Sequence, residues 1–306
     1  MIYCTSYTNP DLDGISCSLA YAEYLNSNGK PAKAVYFGEL DLETKYLMDM
    51  LGKLPLEKKE GEYSDSDCVV LVDIADPSAI DPAIKPDKVI EIFDHHHLTF
   101  EDKFPNAVSK IEKIGACATL IVENLKMNYF EASEKVGTLL YAAIISGTIN
   151  FKNKVTTERD IRAAKLLSER LKLPTDFIKK MFDSKSQIDE TNITWFLDQY
   201  FGKKEIGGKK VGIAQIEITN LEKLVSRNKN LITKFLKETT ASGRVDYVLF
   251  TGIDIFEGFN VFITADKQSD EIFSKALRIE KIGDYYKTKE IIMRKEIWPK
   301  INLTPA

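Results

Sequence analysis

The chain of 306 residues has only four cysteines, two tryptophans and three histidines, and no run approaches the roughly 18 apolar residues a membrane span needs. Cys4, Cys17, Cys68 and Cys117 are scattered without a Cys-x-x-Cys pair. That argues against a secreted disulfide scaffold and for a cytoplasmic protein with buried thiols. The first seven residues lack the basic and apolar stretches of a signal peptide. Low-complexity tracts and internal repeats are absent too. A formal net charge of −4 gives no broad basic surface for following a nucleic-acid backbone. With 44% hydrophobic and 29% charged residues, what remains is an ordinary globular chain, long enough for two domains. Charge is unevenly spread: residues 201–306 carry 19 Lys and Arg against 14 Asp and Glu, whereas residues 1–200 carry 23 against 32.

Short apolar runs alternate with helical patterns over the first half. Residues 2–5, 34–37, 68–73 and 89–94 read as strands, and residues 15–27 and 42–51 as helices. Cys68-Val69-Val70-Leu71-Val72-Asp73 and Val89-Ile90-Glu91-Ile92-Phe93-Asp94 are apolar on both faces. Such strands predict a mostly parallel sheet with helices on both faces. Helical spacing then covers 116–125, 132–146 and 157–171, and the polar stretch 183–191 reads as a linker. Beyond it, strands near 210–216, 247–251 and 260–264 alternate with helices near 221–238 and 270–277. The fold class is therefore α/β, with a parallel-sheet domain over 1–186, a smaller α/β domain over 187–306, and an active-site cleft expected between them.

In open α/β sheets ligands gather at the carboxyl ends of the strands. Three of the expected strands deliver acids or histidines there: Asp11 and Asp13 after the first, Asp73 after the third, and Asp94-His95-His96-His97 after the fourth. Carboxylates crowded without cations repel one another, and a divalent cation resolves the conflict; Asp with His suits Mn²⁺, Co²⁺, Mg²⁺ or Zn²⁺ better than Ca²⁺. Asp11 also has the position of a helix cap, which by itself accounts for an acid there.

Asn9-Pro10-Asp11-Leu12-Asp13, Leu71-Val72-Asp73 and Asp94-His95-His96, in that order, resemble the first three motifs of the DHH phosphoesterases. Gly115-Ala116-Cys117-Ala118-Thr119, Ile144-Ile145-Ser146-Gly147-Thr148 and Thr156-Thr157-Glu158-Arg159-Asp160 are similar to the segments that follow. Lys209–Gln215 and Arg294-Lys295 look like the second domain of family II, manganese-dependent, inorganic pyrophosphatases and exopolyphosphatases. The resemblance implies one or two divalent ions, Mn²⁺ first among them, and a hydroxide that attacks phosphorus in line. It implies metal ligation by Asp11, Asp13, Asp73 and His95, with Asp73 shared between ions. It implies catalytic roles for Asp73 and His96, and contacts to a small anionic phosphate substrate from Asn9, His96, His97, Lys203 or Lys204, Arg294 and Lys295. A homodimer through the N-terminal sheet is also implied.

The chain departs from the family pattern at four positions. Tyr7 stands where a histidine ligand is expected, Gly147 where an aspartate is, Ile74 where the pyrophosphatases place a histidine, and His97 where they place an arginine. Water, His97, Asp76 or Asn150 could fill the gaps. Three readings stay open. The preferred one is a phosphohydrolase cleaving pyrophosphate or short polyphosphate. The second is a weak or inactive homologue that binds a phosphorylated ligand or a protein. The third is a phosphodiesterase acting on short oligonucleotides. On the first reading, Gly147→Asp should restore a ligand and tighten one metal site.

Overall fold

The computed structural model describes residues 1–61, 63–74, 76–96, 101–127, 130–279 and 281–303. The chain divides into two compact units, Met1–Ser184 and Lys185–Ala306. Among the described residues no helix is long and apolar enough to cross a membrane.

The first unit contains strands β1 (Ile2–Thr5), β2 (Ala32–Tyr36), β3 (Leu56–Lys58), β4 (Cys68–Val72), β5 (Val89–Asp94) and β6 (Val108–Ile111). They form one sheet in the order β3-β2-β1-β4-β5-β6, parallel at every pairing. Val69, Val70, Leu71 and Val72 of β4 are all fully buried, because a central parallel strand is covered on both faces. The helices are α1 (Leu12–Ser27), α2 (Leu42–Leu51), α3 (Cys117–Met127), α4 (Glu134–Gly147), α5 (Glu158–Ser168) and α6 (Phe177–Lys185). α1 packs on β1 and β2 and beneath α3 and α4. It starts three residues earlier than its apolar spacing predicts, because the Asp11 side chain caps it by accepting from the N–H groups of Asp13 (2.9 Å) and Gly14 (3.2 Å). Ile80, Ile84 and Phe104, from the segments that follow β4 and β5, pack in one apolar cluster with Val69, Leu71 and Ile92. The edge strands β3 and β6 are short and carry no alternating signal, so the sequence reading did not anticipate them.

Strand order reverses between β1 and β4. The chain leaves β1 toward β2 and β3 on one side, and leaves β4 toward β5 and β6 on the other. The crevice at such a switch point, outside the carboxyl ends of the strands, is where open α/β sheets take their ligands.

The second unit holds α7 (Ile193–Gln199), β7 (Phe201–Ile206), β8 (Lys209–Ile218), α8 (Leu221–Ala241), β9 (Tyr247–Asp254), β10 (Phe259–Ile263), α9 (Lys267–Leu277), β11 (Lys281–Ile282), β12 (Tyr285–Thr288) and α10 (Arg294–Ile297). Its sheet runs β11-β12-β10-β9-β8-β7, with β8 and β9 parallel and the other pairs antiparallel. One apolar cluster includes Leu236, Val248 and Val261; another joins Phe262, Phe273 and Trp298.

Candidate metal centre

The turn after β1 is held by Asn9, which adopts a left-handed backbone (φ 60°). Its side-chain oxygen accepts from the Glu39 N–H at 2.8 Å, so the acceptor end of this expected substrate contact braces the loop after β2. Asp13, in the first turn of α1, is buried. Its carboxylate accepts from the N–H groups of Cys117 (2.7 Å) and Ala118 (2.8 Å) and from the Cys17 thiol (3.4 Å). It therefore caps α3 as well as facing the strand ends.

Asp73 follows β4 in a left-handed conformation (φ 61°), with its N–H on the Phe93 carbonyl at 2.7 Å. This turns the carboxylate back over the sheet rim, where it is 1% exposed. His95 Nδ1 donates to the Ile114 carbonyl, 3.0 Å away. A carbonyl only accepts, so Nδ1 carries the proton and neutral His95 presents a lone pair at Nε2. That nitrogen lies 3.2 Å from Asp73 Oδ1 and 3.8 Å from Asp13 Oδ2. Three acceptors thus meet in a place nearly closed to water. Asp73 Oδ1 is buried and accepts no hydrogen bond among the described residues. His96 joins the group: ligand atoms of Asp73, His95 and His96 all fall within 4.8 Å of one another. Its Nδ1 is 2.7 Å from Asp94 Oδ1, which also accepts the N–H groups of His95 and His96.

The electrostatics suit a cation at this place. Burial, then the charges of Asp13 and Asp11, push the Asp73 carboxyl well above the usual range. Burial and Asp11 raise Asp13 as well, against the pull of His95. Burial alone would lower His95, but Asp13 and its neighbours outweigh it and the imidazole ends above its ordinary value. Buried carboxylates that oppose one another and a histidine whose outer nitrogen is prepared for a ligand are the donor set of a Mn²⁺-type ion, and the residues present fit one.

The departures from the family pattern are accommodated in different ways. The Tyr7 hydroxyl accepts from the Asp11 N–H at 3.2 Å, and burial together with Asp11 and Asp73 holds the phenol well above its normal pKa. It stays neutral, able to donate to a carboxylate but weak as a ligand. Gly147, the last residue of α4, lies against the turn before α3. A Cβ there would stand 2.9 Å from the Gly115 carbonyl and 3.3 Å from Ala116 Cβ. No side chain fits without moving backbone, which overturns the expectation that an aspartate could simply be restored. Asp76 is engaged in its own turn, accepting from the N–H and hydroxyl of Ser78. His97 lies outside the described residues.

One residue the sequence reading quoted but gave no role is Asp160. Fully buried, it accepts from the Gly115 N–H (3.0 Å), the Thr119 hydroxyl (2.6 Å) and the Thr157 N–H (2.7 Å). It closes the capping box of α5 and at the same time fixes the turn that starts α3, whose N–H groups hold Asp13. The Thr-x-x-Asp spacing was the available signal.

In the second unit, the Arg294 guanidinium lies over Gly202 of β7 and donates to the carbonyls of Tyr200 (2.6 Å) and Ile213 (3.4 Å). Its own N–H donates to Gln215 Oε1 at 2.5 Å. A Cβ on Gly202 would come 2.9 Å from Arg294 Cζ. Strand alternation puts Gly202 and Lys204 on one face of β7 and Lys203 on the other. Lys204 Nζ sits 5.8 Å from the Trp298 ring, beside α10, so of the two lysines Lys204 shares the Arg294 face. Lys295 follows Arg294 within α10.

The chain is similar to known proteins along most of its length. Residues 1–147 match the DHH family N-terminal domain and residues 179–302 match the DHHA2 domain. The chain is 25% identical to a manganese-dependent inorganic pyrophosphatase of Bacillus subtilis, covering 95% of this chain and 94% of that protein. It is 26% identical to one from Methanocaldococcus jannaschii, covering 97% and 96%. A crystal structure reported as a family II inorganic pyrophosphatase of Methanococcus jannaschii superposes with a TM-score of 0.70 at 25% identity, over 98% of each chain.

Proposed function

The chain belongs to the DHH family, with a DHHA2 domain following, and on that footing we propose that it is a divalent-metal-dependent phosphohydrolase acting on pyrophosphate or short polyphosphate. The observation that carries the reading is the pairing of His95 Nε2 with the buried, unbonded Asp73 Oδ1 at 3.2 Å. A cation shared between these two groups, a bound metal ion in this reading, is what lets an imidazole nitrogen and a buried carboxylate oxygen face one another here. Asp73, His95 and Asp13 would hold the ion, with Asp11 beside them and Mn²⁺ the first candidate. When bound, such an ion lowers the pKa of a water and offsets charge on phosphate oxygens.

The chain's own residues do the rest. The Ile114 carbonyl keeps the proton of His95 on Nδ1, so the outer nitrogen stays a donor of electrons. Asp94 binds His96 Nδ1, and the half-exposed His96 ring is left with Nε2 to pass a proton to a phosphate oxygen. Arg294, Lys204 and Lys295 are the proposed anion contacts of the second unit, the guanidinium being the one that can grip two phosphate oxygens at once.

Two measurements test this. Mn²⁺ at about a hundred times its dissociation constant should stabilise the first unit by about 2.7 kcal/mol, raising its melting temperature by roughly 5–10 °C, with phosphate release from pyrophosphate appearing over the same range of concentrations. Neither effect over a series of Mn²⁺, Co²⁺ and Mg²⁺ would overturn the reading. Arg294→Ala should raise KM about tenfold with a smaller change in kcat, and Gly202→Ala should do the same by displacing the guanidinium. An unchanged KM in both variants removes Arg294 from substrate binding.

A further inference from the structure

Away from the metal centre, the first unit contains a cavity of about 480 Å³, between the C-terminal half of α3, the N-terminal half of α4 and the end of α5. That volume lies in the range of small-molecule sites. Its walls are Leu125, Phe130, Leu140, Leu166, Leu167 and Leu171. At their other ends the same three helices converge on the turn Gly115–Cys117 that holds Asp13, through Cys117, Gly147 and Asp160.

Three observations point to an occupant. The first is Gly137, in the interior of α4, on the cavity wall. Glycine weakens a helix interior relative to alanine. A Cβ there would meet only Leu171 Cδ2, at 3.5 Å, an ordinary contact, so crowding does not require the glycine. Its effect is to keep the cavity open. Secondly, the wall formed by residues 130–133 is pinned. The Ser133 N–H and hydroxyl donate to Glu23 at 2.6 and 2.8 Å, and the Phe130 ring lies 5.6 Å from Tyr24. The third is charge at the rim. Arg170 is paired with Glu131 at 2.8 Å, whereas Lys126 and Lys172 make no ion pair among the described residues. The remaining rim acid, Glu134, sits in the first turn of α4, where the helix terminus offsets its charge.

We infer that this cavity is a binding site for a free medium-chain carboxylate, its unbranched chain among the leucines and its single anionic head beside Lys126 and Lys172. The inference does not depend on the phosphohydrolase reading.

The test is calorimetric titration of the full chain with decanoate, below its micelle-forming concentration, and in parallel with decyltrimethylammonium. Decanoate should bind saturably at one site, at least about tenfold more tightly than the cation. Gly137→Leu, which fills the cavity, and the double variant Lys126→Glu with Lys172→Glu should each weaken decanoate by at least about tenfold. Should Gly137→Leu fail to fold, the double variant decides, since both lysines are on the surface. Absence of saturable binding, equal binding of the two amphiphiles, or full decanoate affinity in the variants would overturn the site.

Discussion

Asp73→Asn lowers phosphate release by about a thousandfold or more, a loss of roughly 4 kcal/mol of transition-state stabilisation, while leaving the protein folded. The expectation follows from the position of the side chain. Asp73 Oδ1 lies 3.2 Å from His95 Nε2, the residue is closed to solvent, and that oxygen has no hydrogen-bond partner among the described residues. Asparagine is the informative replacement. It matches aspartate in shape and tolerates the left-handed backbone at φ 61°, which alanine adopts only at a cost of about 1–2 kcal/mol. It also removes one of the mutually repelling buried charges. The metal-free variant should therefore melt no lower than the parent, and the Mn²⁺-induced rise should disappear. Phosphate release beside a melting curve with and without Mn²⁺ checks both halves. Retention of more than a tenth of the activity would mean that the chemistry occurs elsewhere.

Gly147→Asp damages the protein rather than improving it. The family pattern invites an aspartate here, yet its Cβ would stand 2.9 Å from the Gly115 carbonyl. The Gly115–Ala116 backbone must yield, and with it the N–H groups of Cys117 and Ala118 that hold Asp13. Overpacking of this kind costs about 2 kcal/mol, a fall of roughly 4–8 °C in melting temperature. Displacing a group that orients a ligand costs up to about a hundredfold in activity or metal affinity. Calorimetry and a Mn²⁺ titration of the variant measure the two effects. A tighter metal site with unchanged melting would show that the turn is more pliant than its contacts indicate.

Much of this was legible before any coordinates. β4 and β5 are apolar on both faces and end in acids, so a parallel sheet with chemistry at its rim could be read from two hexapeptides. Asp11, Asp13, Asp73 and His95 stood out together, as acids and a histidine gathered after apolar strands, and the resemblance to the DHH phosphoesterases implied their ligand roles. Other features were hidden for definite reasons. β7 carries Lys203, Lys204 and Glu205 on an edge, where burial imposes no pattern, so it did not read as a strand. Asp73 and the run Ile149, Asn150 and Phe151 adopt left-handed backbone without a glycine to announce it. Gly147 looked like a missing ligand because a sequence shows which side chain is absent, not what occupies its space. The choice between Lys203 and Lys204 as neighbour of Arg294 needed only strand alternation, but alternation counts only once a strand is known.

Every proposed ligand of the metal centre lies within the first 95 residues, but the brace behind them does not. Asp160 reaches back 45 positions to the Gly115 N–H and so sets the start of the helix that grips Asp13. On a ribosome, the nascent chain would therefore emerge with all its metal-binding side chains long before it could hold them in place. The centre is a late product of synthesis, finished only when α5 has left the exit tunnel and docked.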